Sequence, residues 1–272
     1  MKGLTNRFAS VVRFGNSAVI ASFLAWLAIP TPAHAFYILA DNNSTISLDL
    51  GTSAGMNSWL VDGANQMQQQ FFWFRIGPAG PETDLTAITT TPTVTQGSTR
   101  QLTALYASQR FGVQLGYLLT GGSLLSGLSG FTESIRVFNY SDSLLEFHLF
   151  QYSHLTLGGQ ANINTAYNGF DQNAALGSFN SLLTGAPATG AEAALFNATL
   201  VKLTDGLPST LNNVTTAGPG DATWALQWDV QIPAKSSFVI SSVNNLQVVP
   251  EPSALALACL GLGAWALRRR NR

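Results

Sequence analysis

The alternation of apolar and polar residues along this chain predicts short β-strands separated by turns. Its most regular stretch is Trp224–Ile232. There Trp224, Leu226, Trp228, Val230 and Ile232 fall on one face and Ala225, Gln227, Asp229 and Gln231 on the other. Thr45–Leu50 alternates in the same way through Ile46, Leu48 and Leu50, after a turn at Asp41-Asn42-Asn43. Gly51–Gly63 reads as a loop that lends Trp59 and Leu60 to the core. Phe71–Phe74 with Ile76 is an aromatic run of high β propensity, closed by Gly77-Pro78-Ala79-Gly80-Pro81. The threonine-rich segment Thr83–Thr99 is extended, and Pro92 confines it to a sheet edge or a break.

Arg100–Ala107 and Phe111–Leu119 read as consecutive strands, followed by a small-residue loop from Gly121 to Gly130. Ser134–Tyr140 and Leu144–Leu157, separated by Ser141-Asp142-Ser143, predict a hairpin. In its second strand Leu145, Phe147 and Leu149 share one face, and Glu146 and His148 the other. Gly158–Gly190 has the weakest pattern, with Ala174–Leu183 as a short helix or a crossing loop. Phe196–Leu203 returns to strand character, and Pro233–Ser236 turns the chain into a last strand, Phe238–Val243. Short strands, frequent turns and few helical stretches predict an all-β fold, an antiparallel, jelly-roll-like β-sandwich. No repeat of fixed period points to a propeller or solenoid.

Both chain ends depart from this pattern. Lys2, Arg7 and Arg13 precede an apolar run from Ala18 to Ile29, and Ala33-His34-Ala35 supplies the small-x-small site that signal peptidase cuts after. Residues 1–35 are thus a signal peptide with an N-terminal signal helix. The alternative, an uncleaved anchor, is disfavoured by Pro30 and Pro32. At the other end Pro250-Glu251-Pro252 leads into Ser253–Leu267, which has no charged residue, and Arg268, Arg269, Arg270 and Arg272 close the chain. Fifteen helical residues reach about 22 Å, short of a hydrocarbon core of roughly 30 Å. Pro252 suits the first turn of a helix, and the arginines stay cytoplasmic and snorkel to complete a short span. The organisation expected is a signal peptide at 1–35, a β-sandwich passenger at 36–248 and a C-terminal signal at 249–272. That signal contains a single apolar transmembrane helix over 253–267 and an arginine cluster over 268–272.

This three-part tail resembles the PEP-CTERM sorting signal of bacterial surface proteins, on Pro250-Glu251-Pro252, the run Ser253–Leu267 and the terminal arginines. The resemblance implies that exosortase, a membrane-embedded protease-transpeptidase, reads and removes the tail. It also implies an inner-membrane intermediate and release to the cell surface or extracellular matrix, often beside exopolysaccharide. An ordinary tail anchor is the alternative. The stretch Asn139–Ser153 also looks like a segment of PEP-CTERM passenger domains, which lends an expectation of fold and none of activity.

Composition narrows the passenger's role. The only cysteine is Cys259, so the segment between the two addresses has no disulfide. That segment, 36–249, holds six Lys/Arg against thirteen Asp/Glu, a balance of −7 that the whole-chain value of −1 hides. Such a surface repels phosphate backbones, so nucleic acid is excluded as a partner. Only 10% of the chain is charged, and Ser, Thr, Asn, Gln and Gly make the polar surface, as in extracellular β proteins.

Signals for catalysis are scarce. His148 and His154 share a strand face but lie about 20 Å apart, too far to ligate one metal. Glu146 and His148, with Asp142 or Asp229, are a candidate polar cluster, and a solvated strand face is the plainer reading. Asp41, Asp49 and Asp62 do not form a calcium loop. Trp59, Trp73, Trp224 and Trp228 are read as core residues rather than sugar platforms. The function expected is structural or adhesive, without catalysis, cofactor or metal. Its expected partners are signal peptidase and exosortase during export, then exopolysaccharide or other surface proteins. A glycan-binding module, with two coplanar exposed rings, is the alternative, and a hydrolase built on His148 a third. Its recognisable chemistry lies in the processing residues Ala33, Ala35, Pro250, Glu251, Pro252, Arg268, Arg269 and Arg270.

Overall fold

A computed structural model of the chain describes residues 36–157, 161–166, 168–174, 177–249 and 268–269. The signal segment 1–35 and the run 253–267, with the helices expected of them, lie outside the described residues. Among the described residues no helix is long and apolar enough to cross a membrane.

Eighteen strands among the described residues form two sheets of nine. Sheet A follows the order β1 (Phe36–Asp41), β2 (Ser44–Asp49), β3 (Gly55–Val61), β5 (Met67–Ile76), β11 (Leu145–Leu155), β17 (Ala222–Ile232), β15 (Gly190–Leu195). The two-residue strands β4 (Ala64–Asn65) and β6 (Thr83–Asp84) pair with β3 and β5. Sheet B follows β16 (Thr216–Gly220), β12 (Ala161–Ala166), β13 (Gly169–Ala174), β14 (Phe179–Thr184), β18 (Ser237–Gln247), β10 (Leu128–Asn139), β9 (Phe111–Gly121), β8 (Gln101–Ala107), β7 (Thr93–Ser98). Pairing is antiparallel apart from a short parallel contact of Gly55 and Met56 with Gln70. The predicted all-β sandwich is the fold observed.

The core lies between the sheets. Trp59 of sheet A meets Phe131 of sheet B edge-on, with centroids 4.9 Å apart. Trp224 stacks on Phe170 of β13 at 3.9 Å. Phe74 and Phe147, both in sheet A, close on Phe111 of sheet B at 5.5 and 5.8 Å. All four expected tryptophans are buried, as the apolar pattern requires. The last strand, β18, is buried on alternate residues through Ile240, Ser242, Asn244 and Leu246, so it runs four residues past its predicted end.

Several expectations need correction. Gly51–Gly63 is not all loop. Gly55, at φ +55, lets the chain pass close to Gln70 and Phe71, and β3 follows with Trp59 buried. The loop after β9 ends at Gly127, because Leu128 already pairs with β18, and Ser129 and Gly130 pair on both sides. Phe179–Thr184 is a strand, held between β13 and β18. Phe196–Leu203 is mostly helix, α1 (Ala198–Thr204), which buries Thr199 and Leu203 one turn apart. Thr199 and Lys202 both bond the buried Glu192 at 2.7 Å, a helical spacing that the apolar pattern alone did not reveal.

The expected hairpin is also not a hairpin. Ser134–Tyr140 belongs to sheet B and Leu145–Leu155 to sheet A, so Tyr140–Leu144 carries the chain across the sandwich. Pro233–Ser236 makes the same crossing between β17 and β18. Asn139 ties both corners, its side-chain amide lying 2.7, 2.9 and 3.0 Å from the carbonyl oxygens of Ser143, Ile232 and Pro233. These bonds replace a hairpin ladder and satisfy buried backbone groups where the chain leaves its sheet.

Candidate functional site

The outward face of sheet B is built by alternation along its central strands. β10 turns Glu133, Ile135 and Val137 to the core and Thr132, Ser134 and Arg136 to solvent. β18 likewise exposes Val239, Ser241, Val243, Asn245 and Gln247. Register sets these side chains in rows. Gly130 pairs with Thr120 and Asn245, and Asn245 with Ser181. Thr132 pairs with Leu118 and Val243, and Val243 with Leu183. Glycine lowers the floor at Gly130, where an added Cβ would fall 2.9 Å from the Asn244 carbonyl oxygen. The result is an open groove of about 500 Å³, lined by Thr120, Gly130, Thr132, Phe179, Val243, Asn245 and Gln247 among others, with no ionisable side chain in its lining.

The same face continues to the corner end as a second depression of about 460 Å³, lined by Arg136, Phe138, Tyr140 and Lys235. Phe138 and Tyr140 are half-buried and stacked, with centroids 5.7 Å apart and planes 20° from parallel. The Arg136 guanidinium lies 4.7 Å over the Phe138 ring, and its Nε donates to Ser237 Oγ at 3.1 Å. Lys235 pairs with Asp142 at 3.0 Å. Backbone amides, hydroxyls, side-chain amides and a near-parallel ring pair thus share one face. Sequence reasoning asked for two exposed, coplanar rings and weighed only the tryptophans; Phe138 and Tyr140, half-buried and stacked on each other, are a different pair that it did not consider. The signal was available, since residues two apart on a strand share a face.

The histidines lie on the outward face of sheet A and do not form one site. His148 Nδ1 contacts Asp229 Oδ1 at 2.5 Å, and its Nε2 lies 3.4 Å from Glu146. His154 pairs instead with Asp221 at 2.6 Å and stacks on Phe196. Of the acids considered for the His148 cluster, Asp229 and Glu146 are present and Asp142 is not. Burial would raise the Asp229 pKa, but hydrogen bonds from Gln227, His148 and Thr189 outweigh it and hold it below the usual carboxylate value. The Thr189 hydroxyl donates to Asp229 at 2.8 Å, so this hydroxyl is committed to the carboxylate and is not placed as a nucleophile on the imidazole. Among the described residues no group of three or more His, Cys, Asp or Glu could hold a metal ion.

A second polar cluster lies inside the sandwich. Glu133 is fully buried and accepts from Gln70 at 3.1 Å and Gln151 at 2.8 Å. Burial pushes its pKa up to about 8, against the pull of its hydrogen bonds, so at neutral pH the carboxyl is mainly protonated. It is sealed from solvent and touches neither outer face.

Of the sequence-predicted processing residues, Arg268 and Arg269 are exposed and helical. Ala33, Ala35, Pro250, Glu251, Pro252 and Arg270 lie outside the described residues.

The fold is that of a class of large two-sheet sandwiches. The chain is similar to a putative aldose 1-epimerase from Escherichia coli K12, with TM-score 0.56 and 10% identity over 79% of this chain and 99% of that one. It is similar also to the Slr1438 protein of Synechocystis sp. PCC 6803, with TM-score 0.54 and 11% identity over 79% and 96%. A bacterial glucoamylase complexed with acarbose matches with TM-score 0.52 and 9% identity over 85% of this chain but only 36% of its own. At these identities the likeness is one of fold. No curated protein matches the chain. Residues 248–270, however, match the PEP-CTERM protein-sorting motif. The chain carries that motif where its sequence suggested it, which supports an exported, surface-sorted protein processed by exosortase.

Proposed function

We propose that the sandwich is a non-catalytic, adhesive passenger that holds neutral polysaccharide along the outward face of sheet B once sorting has delivered it to the cell surface or matrix. The observation that supports this reading is the open, uncharged groove over β9, β10, β18 and β14, continued by the Phe138–Tyr140 stack. Sugars offer hydroxyls to amides and apolar ring faces to aromatics, and both kinds of partner line this face. The absence of carboxylate and imidazole from the groove lining suits binding rather than acid–base chemistry. The names of the fold's relatives, an aldose 1-epimerase and a glucoamylase complexed with acarbose, speak of carbohydrate and favour that ligand class. On this reading signal peptidase cuts after Ala35, and exosortase reads Pro250, Glu251 and Pro252.

The test is retention of the exported protein on its host's exopolysaccharide, with reducing ends assayed in the same mixture. Binding that Asn245→Ala and Phe138→Ala weaken, with no new reducing ends, is expected. Release of reducing ends that depends on His148 would replace this reading with the hydrolase.

A further inference from the structure

The strand that leads to the sorting motif leaves the domain without a spacer. β18 is paired on both sides up to Gln247, opposite Leu128 and Phe179. Beyond it the Val248 N–H donates to the Gly127 carbonyl at 2.7 Å, and the Val249 N–H to Ser178 Oγ at 3.1 Å. Pro250, Glu251 and Pro252 then precede the apolar run that starts at Ser253. Four steps of main chain, from Val249 to Ser253, reach at most about 14 Å. Whatever surface that run enters must therefore lie against this end of the sandwich.

The loop beside the exit is built for such a neighbour. Leu124 and Leu125 are 79% and 81% exposed, the most exposed large apolar side chains among the described residues. They are held in place. Asp62 accepts from the Leu125 N–H at 2.6 Å and the Gly127 N–H at 2.8 Å, and Asn43 donates to it at 3.1 Å. Gly127, at φ +67, couples the loop to the exit strand, since a Cβ there would fall 2.0 Å from the Val248 carbonyl oxygen. Leu125 itself sits at φ +62, a conformation that favours glycine or asparagine. Neither backbone geometry nor burial in the domain selects a leucine there. Residues 122–127 include no charge, and Leu128 and Val249 extend the apolar rim.

We infer that Leu124 and Leu125 dip into the lipid interface while the tail still tethers the chain, fixing the exit of β18 at a set height above the bilayer. This rests on the reading that the 253–267 run enters the membrane. Two leucines on a rigid loop enter the headgroup boundary at shallow depth, where no backbone need be desolvated. The motif at 250–252 is thereby presented at the membrane surface, within reach of a membrane-embedded protease. Removing the tail leaves two leucines too weak to anchor alone, so release follows.

The test uses the precursor isolated from membranes of a host that lacks exosortase. With Cys259→Ser, single cysteines at Leu124→Cys or Ala234→Cys, the latter in the turn at the opposite end of β18, receive an environment-sensitive fluorophore. Each precursor is reconstituted in protein-free vesicles of phosphatidylethanolamine and phosphatidylglycerol with brominated acyl chains. The label at 124 should shift to the blue and lose most of its emission to bromine, while the label at 234 keeps its emission. A precursor that floats with the vesicles while label 124 stays in water overturns the inference alone and makes a protein the loop's occupant. A precursor that neither accumulates in membranes nor floats overturns the membrane reading and this inference with it.

Discussion

The two outward faces of the sandwich have been treated oppositely. Over the outward face of sheet A, the stretch 196–211, α1 included, folds back on the strands: Phe196 stacks on His154 of β11, and α1 bonds Glu192 of β15. The Leu211 N–H donates to Gln227 Oε1 at 2.9 Å, and Glu82 accepts from the Ser209 N–H at 2.9 and 3.0 Å while pairing with Arg75. Ala225 and Gln227, on the side of β17 that alternation assigns to solvent, are therefore buried. Over sheet B nothing among the described residues covers the groove. Charged groups on sheet A's face are paired with one another, while the groove on sheet B's face is lined by none. The difference teaches that exposure, more than residue chemistry, marks where a ligand can reach this molecule.

The sharpest way to break the comparison is to cut the cover on sheet A. Glu82→Ala leaves Arg75 buried without its partner and frees the Ser209 amide. Loss of one member of a buried pair should cost about 3–5 kcal/mol, read as a fall in the urea midpoint. Asn245→Ala in the groove should stay within about 0.5 kcal/mol. Equal costs would show that the two faces are not differently built.

The interior that both faces share should respond to pH. Glu133 has its folded pKa raised from 4.5 to about 8. Its neutral form is compatible with the core, so stability is full below pH 4.5, falls as the unfolded chain ionises, and levels off above pH 8. The slope in that window approaches about 1.4 kcal/mol per pH unit. Glu133→Gln, an isostere of the neutral acid, should flatten it, and urea titrations at several pH values measure this. A slope unchanged in the variant would assign the pH dependence elsewhere.

On sheet A's partly exposed rim the effect is smaller and of opposite sign. Asp229 is held low, so its contribution is present above the ordinary value of 3.8 and fades as pH falls below it. Solvent screening limits this to about 1 kcal/mol. Asp229→Asn should remove that acid limb while leaving polysaccharide retention intact. Loss of retention in this variant would move the ligand to sheet A.

The alternation in Trp224–Ile232, Thr45–Leu50 and Phe111–Leu119 was legible as strand because one face of each packs on the core. It did not show which sheet each strand joins. Ser141-Asp142-Ser143 has hairpin composition, yet the turn crosses the sandwich because Asn139 offers its carbonyls a partner from outside any ladder. It did not show the cover on sheet A either, since Leu200, Val201 and Leu203 read as one extended stretch, and Leu211 is a single apolar residue among polar ones whose burial depends on contacts distant in sequence. The sequence offered Asp142 or Asp229 as the partner of His148, and the register of β11 with β17 selects Asp229. The groove was invisible, because part of its floor is the side chain that Gly130 lacks.

The smallest expected effect on stability is also the most informative about function. Phe138→Ala removes one ring of the stack and the surface on which Arg136 lies, at a half-exposed site with little core to lose. Stacking of a sugar face on an aromatic is of the size of other weak aromatic contacts, about 0.5–1.5 kcal/mol. Retention on polysaccharide should therefore fall by about 2- to 12-fold, since each 1.4 kcal/mol is tenfold. Phe138→Tyr keeps the ring and should keep the binding. A chain that binds equally well with alanine at 138 would confine the ligand to the groove at the Gln247 end. A chain that loses binding with tyrosine as well would show that the ring face alone does not set the contact.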